Sequence, residues 1–320
     1  MTRILLKGAA FALLVIALQV PLELLRGLAP IQPRDALDAR RSPPDILYFG
    51  DSVLDSVAPG DADRRDLMVL LRDLLPDRSV GTIQGAAYGP ELFEAFARYV
   101  ARQPARPSRL LISINLRSFS PEWDPRPEYQ FQAEKFRLHH GDLAAAAFLR
   151  PLNAFKAYSL TPISPAEYRI RPVTREGRPV GLVRDFLPLL VPPPGMSLEE
   201  GQFVFRYMNT VTPDSRGILA LRRIAELCRK TGMEPRFYVT PVDVETGTRA
   251  VGPGFRQQVA ANVAILRESL AAENVRLLDL SALLDANAFD WRRNLVPNEH
   301  LTERGRAALA RELAALLRAP

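Results

Sequence analysis

An α/β domain built on a parallel sheet of about five strands is what this sequence predicts, and three observations predict it. Short runs that are apolar almost throughout, Ile46 to Phe49 in DILYFG and Arg109 to Ile114 in RLLISI, suit strands buried on both faces. Between such runs lie segments with apolar residues at helical spacing, so strand and helix alternate as they do when helices cover both faces of a parallel sheet. The first run stops abruptly at Gly50-Asp51-Ser52, which places a tight turn and a hydroxyl at the carboxyl end of a central strand, where open α/β sheets hold their ligands.

Taken in order, Met1 to Leu25 carries Arg3 and Lys7 ahead of the apolar stretch GAAFALLVIALQV, the pattern of a signal anchor or a secretory signal. Ile4 to Leu25 is long enough for a span, which takes roughly 20 residues, and no small-x-small cleavage site precedes Arg26, so an anchor is preferred over a cleaved signal or a buried amphipathic helix. Residues 1–27 are therefore expected to form the membrane segment, 28–44 a Pro- and Arg-rich linker, and 45–320 the globular domain. Within it the pattern predicts a helix over Asp61 to Leu75 capped by Asp61 or Asp63, a strand over Ser79 to Gln84, and a helix over Glu91 to Arg102. After RLLISI the rhythm breaks, and about 121–213 is expected as a long insertion, either a substrate-binding cap or a structural excursion at the sheet edge. It resumes with a helix over Asp214 to Thr231 closed by Gly232, a strand RFYVT over Arg236 to Thr240, a helix over Gly254 to Glu273, a strand over Val275 to Leu280 and a helix over Thr302 to Leu317.

Composition narrows the function. A hydrophobic fraction of 47% in 320 residues excludes a disordered chain. The net charge of +6 comes from Arg interleaved with acids, with no basic-aromatic motif, so no nucleic-acid partner is expected. A single cysteine, Cys228, forbids an intramolecular disulfide and reads as a small buried side chain. No metal-ligand spacing surrounds the three histidines and no phosphate-cradling glycine loop is present, so no metal or cofactor is expected.

Ser52 is the candidate nucleophile. His300, in a loop ahead of the last helix, is its candidate general base, whereas His139 and His140 fall in the insertion. The plainer alternatives are turn-forming or helix-capping roles for Asp51 and Ser52, and an exposed or capping histidine.

The ordered set Gly50-Asp51-Ser52, Gly85 in IQGAAYG, Asn115 in SINLRSFS and His300 in NEHLTERG resembles the four blocks of the SGNH (GDSL) hydrolase superfamily, over about Asp45 to Leu317 with the insertion outside it. With the leading apolar segment, the chain resembles membrane-anchored bacterial O-acyltransferases and esterases of cell-envelope polysaccharide. The resemblance implies a flavodoxin-like three-layer α/β/α sandwich, Ser52 as nucleophile and His300 as base. It also implies an oxyanion hole of the Ser52 and Gly85 N–H groups and the Asn115 side chain. One departure stands out. The superfamily carries Asp three residues before the histidine, or two before in polysaccharide O-acetyltransferases, and this chain has Pro297 and Asn298 there. Asn298, Glu299, Asp290, Asp51, Asp243 or a backbone carbonyl are left to orient the imidazole, with Glu299 expected to point elsewhere, Asp51 to shape the turn and Asp55 to stand behind the site.

The expected function is serine-dependent ester hydrolysis or O-acyl transfer on an acylated envelope polysaccharide or related ester, outside the cytoplasm. By the resemblance, a membrane-bound O-acyltransferase is the expected partner. A catalytically impaired binding or assembly component, motivated by the missing Asp, and a soluble lipase or thioesterase with a cleaved signal are the alternatives.

Overall fold

The computed structural model describes residues 2–26, 43–120, 131–141, 197–291 and 296–319, together with 144, 145, 147, 174, 175, 178 and 179. Most of the expected linker and of the expected insertion, including the apolar run DFLPLLVPPP, lies outside the described residues.

Five parallel strands form one sheet: β1 (Ile46–Gly50), β2 (Val80–Gln84), β3 (Arg109–Ile114), β4 (Glu234–Val239) and β5 (Leu277–Asp279), in the spatial order β2-β1-β3-β4-β5. This is the flavodoxin-like doubly wound order, whose direction of winding reverses at β1 and β3. Every residue of β1 is buried, as its unbroken apolar sequence requires of a strand covered on both faces. Pairing of Gly50 with Gln84 and of Phe49 with Ile112 brings Ser52, Gly85 and Asn115 to the same carboxyl edge, each just beyond its strand.

Helices α2 (Leu67–Leu74) and α9 (Glu303–Arg318) pack together, while α3 (Pro90–Ala101), α6 (Arg216–Thr231) and α8 (Gly254–Ala271) form a second packed set. Right-handed crossovers place these two sets on opposite faces of the sheet. Their stop signals are local: Pro90 opens α3 at its first position, and Gly232 closes α6 in the left-handed region at φ 73°. Cys228 is buried in α6, and burial pushes its thiol up to about 12. The leading helix α1 (Thr2–Arg26) contains the stretch Arg3–Pro21, long and apolar enough by length and composition to cross a membrane.

The structure shifts some expected boundaries. No helix begins at Asp61 or Asp63; α2 starts at Leu67, capped by Asp66, whose carboxylate accepts from Val69 N–H at 2.8 Å. The reason lies in α9. The Arg306 side chain is fully buried and holds the preceding segment open, donating to Asp61 Oδ2 at 2.5 Å, Asp63 O at 2.7 Å and Arg65 O at 3.0 Å, as well as to Leu301 O at 3.0 Å. The sequence reading also missed helix α7 (Val244–Val251), capped by Asp243 through Thr246 N–H at 2.9 Å. Within the range expected as insertion, α4 (Gln132–His140) lies against α3, and α5 (Leu198–Tyr207) buries Phe203, Val204 and Tyr207 in the main core beside Phe255 and Trp291.

Arg306 thus binds the segment that follows Ser52 to the segment that follows His300. Arg306→Met, which keeps the stem and removes the donors, should destabilise the protein by about 3 kcal/mol, because it leaves a carboxylate and three carbonyls short of partners. Urea unfolding of the full chain measures this.

Candidate active site

Ser52 occupies a turn, not a helix start. Asp51 Oδ1 accepts from Val53 N–H at 2.9 Å and Asp51 O from Leu54 N–H at 3.3 Å, which folds the chain back on itself directly after β1. Gly50 lets the Leu54 side chain close over the turn, since a Cβ there would stand 2.3 Å from it and force it to shift. No helix follows, because Pro59 and Gly60 interrupt the segment and Arg306 engages what comes next.

His300 reaches this turn from the far end of the fold. Its Nε2 lies 2.9 Å from Ser52 Oγ, and a proton donated by Oγ requires the imidazole to carry its own proton on Nδ1. Both polar groups of the His300 main chain are held. Its N–H donates to Asn298 Oδ1 at 2.9 Å and its carbonyl accepts from Asp290 N–H at 3.0 Å, within a short antiparallel bridge between Phe289 and Leu301. Asn298 in turn donates from Nδ2 to Val296 O at 3.0 Å, so this residue shapes the loop rather than meeting the ring.

Among the described residues none donates to or accepts from His300 Nδ1. Asp243, considered from sequence as a substitute, accepts on one oxygen from Thr246 N–H at 2.9 Å and on the other from Trp291 Nε1 at 3.0 Å. Asp55 is exposed.

Beneath the serine and histidine lies a buried polar cluster. Asn115 Nδ2 donates to Asp51 Oδ2 at 2.9 Å and to Glu299 Oε2 at 2.7 Å, while Asn115 Oδ1 accepts from Arg117 N–H at 2.9 Å. That backbone donor fixes which way the amide faces. Both Nδ2 hydrogens are therefore committed to carboxylates, and in this arrangement the Asn115 side chain does not offer a donor to an oxyanion. Glu299 is 1% exposed; it also accepts from Tyr207 OH at 2.6 Å and lies 3.4 Å from the Arg117 guanidinium. Burial, and then the charge of Glu299, raises the Asp51 carboxyl above its ordinary value. Burial, and then the Glu299 charge, also keeps the Tyr207 phenol protonated and donating. Below Asp51, the Tyr48 and Tyr238 hydroxyls share a hydrogen bond, and burial raises both phenols.

Gly85 begins a tight turn in which Tyr88 N–H donates to Gly85 O at 3.2 Å and Ala87 adopts φ 61°. The Tyr88 ring lies over Gly85, where a Cβ would meet it at 2.5 Å, so only glycine lets the ring close there. Tyr88 also stacks edge-on against Phe131, at 5.0 Å between centroids. On α4, His140 lies against both Phe136 and His139, and among the described residues no group of three or more metal-ligating side chains occurs.

Two residues of this site escaped sequence reasoning. Tyr207 lay in the expected insertion, although Phe203, Val204 and Tyr207 share one face at helical spacing and so mark a core helix. Arg117 had no signal beyond its place two residues after Asn115.

No family model and no curated protein matches this chain. Among solved structures, it is similar to an acetylxylan esterase from Geobacillus stearothermophilus, at 13% identity and a TM-score of 0.41, covering 87% of this chain and 96% of that one. It is also similar to a lipase/acylhydrolase from Enterococcus faecalis, at 11% identity and 0.38, covering 84% and 95%. An aryl esterase from M. smegmatis stands at 12% and 0.38, covering 85% and 97%.

The raised carboxyl of Asp51 has a measurable sign. Below the unfolded value of about 3.9 both states hold the proton; between that and the raised native value only the folded state does. Stability attributable to Asp51 therefore falls as pH rises through this window and is constant above it. Urea unfolding of wild type and Asp51→Asn at a series of pH values should show the wild type losing ground to the variant from about pH 4 upward, then a constant difference.

Proposed function

We propose that this chain is a serine-dependent ester hydrolase or O-acyltransferase, anchored by α1 and working outside the cytoplasm on an acylated envelope polysaccharide or a related ester. The observation that carries the catalytic part is the 2.9 Å contact between Ser52 Oγ and His300 Nε2 at the carboxyl edge of a parallel sheet.

In this reading His300 Nε2 takes the Ser52 proton as Oγ forms a bond to the acyl carbon. The tetrahedral oxyanion lies toward the Ser52 and Gly85 N–H groups, which are preorganised for charge that exists only in the transition state. Collapse breaks the bond to the leaving alkoxide, which takes the proton back from His300 and leaves acyl-Ser52. Water or a polymer hydroxyl then attacks the acyl carbon, giving its proton to His300. Breaking the acyl–Oγ bond returns that proton to Ser52 and completes the cycle. The leading apolar helix supports the membrane location, and a membrane-bound O-acyltransferase would supply acyl groups to such an anchored domain.

A second reading is favoured by the lack, among the described residues, of any partner for His300 Nδ1. It makes the chain a binding or assembly component of a polysaccharide-modifying machine, whose serine never turns over. Incubation of the full chain with a fluorophosphonate should label Ser52. Ser52→Ala should abolish the labelling, and His300→Ala should slow it by about 10³-fold or more. Folded wild type that resists the reagent would favour the assembly role.

A further inference from the structure

We propose that Glu299 is the residue that positions His300, acting through the main chain that joins them and not through the imidazole. The inference rests on the reading of Ser52 and His300 as nucleophile and base.

A carboxylate on the ring does three things in a serine triad: it sets the tautomer, it fixes the direction of the imidazole and it stabilises the imidazolium that forms. Here the second task has another solution. The Glu299 carboxylate is buried beneath the loop and is gripped by groups from separate parts of the fold. Asn115 Nδ2 at 2.7 Å and the Arg117 guanidinium at 3.4 Å come from the end of β3, and Tyr207 OH at 2.6 Å from α5. Neighbouring Cα atoms are about 3.8 Å apart, so an anchor at 299 leaves residue 300 little room to wander. The His300 main chain is then held on both sides, through its N–H by Asn298 and through its carbonyl by Asp290 N–H.

The same Asn115 amide that holds Glu299 also holds Asp51, whose other oxygen shapes the Ser52 turn. One amide thus spaces the base loop from the nucleophile loop. Ordinary structural burial would not require the anchored side chains on both loops to meet at one donor pair. A misplacement of about 1 Å can cost about 10²-fold in rate, so this spacing bears directly on reactivity.

The test compares wild type, Glu299→Gln and Tyr207→Phe as full-length chains, following fluorophosphonate labelling to completion and recording both rate constant and final stoichiometry. Glu299→Gln keeps the shape but turns a donor toward one of the groups that now donate to it, and should slow labelling by about 10- to 100-fold while wild-type stoichiometry is still reached. Tyr207→Phe removes one contact and leaves the carboxylate, so it should slow labelling by about 3- to 10-fold. A purely structural role would instead lower the stoichiometry, through a smaller folded fraction, at an unchanged rate constant. That result, or rates within about twofold of wild type in both variants, overturns the inference and leaves the proposed function standing. If wild type itself is not labelled at Ser52, the proposed function fails and the positioning role falls with it. Should Glu299→Gln fail to fold, the Tyr207→Phe rate constant decides alone.

Discussion

The structure depends most on one side-chain amide. Asn115 stands at the end of β3 with an acidic residue from the Ser52 turn on one hydrogen and an acidic residue from the His300 loop on the other. Two carboxylates this deeply buried repel each other and resist losing water, and only shared donors make the arrangement tolerable. The amide supplies one hydrogen to each, Tyr207 and Arg117 complete the surroundings of Glu299, and Val53 N–H completes those of Asp51. Because the polar groups have so few other partners available, each fixes the others in place.

A second tie operates a layer away. Arg306 in α9 gathers backbone carbonyls from 63, 65 and 301 with the carboxylate of Asp61, and Glu303 accepts from Asp63 N–H at 2.6 Å. The loops bearing Ser52 and His300 are therefore joined twice, once beneath the sheet's carboxyl edge and once at its flank. Neither loop has regular structure of its own beyond a turn and a two-residue bridge, so these polar ties replace the rigidity that a helix or strand would give.

Much of the fold was legible because its strands are apolar throughout and its helices amphipathic. RLLISI is β3 residue for residue, and Gly232 ends α6 where a left-handed residue was needed. What was not legible depended on distant partners. The expected helix start at Asp61 fails because Asp61 and Asp63 are engaged by a buried arginine 240 residues and more further on, something no local pattern encodes. Of the candidate site residues, Ser52 and His300 come into contact as a pair, while Asn298 and Asp290 meet the histidine only through its backbone. The Glu299 carboxylate meets Asn115, Tyr207 and Arg117, and no local pattern groups these residues.

The Ser52–His300 contact closes a loop of 248 residues. During synthesis the Ser52 turn, its strand and two neighbouring strands can form long before the histidine exists, and Asp51 must wait for Glu299 to meet it across Asn115. Any truncation before Glu299 consequently loses His300, the buried Glu299 carboxylate and the Arg306 clamp together. The Ser52–His300 contact is thus a property of completion, available only once nearly the whole domain has been made.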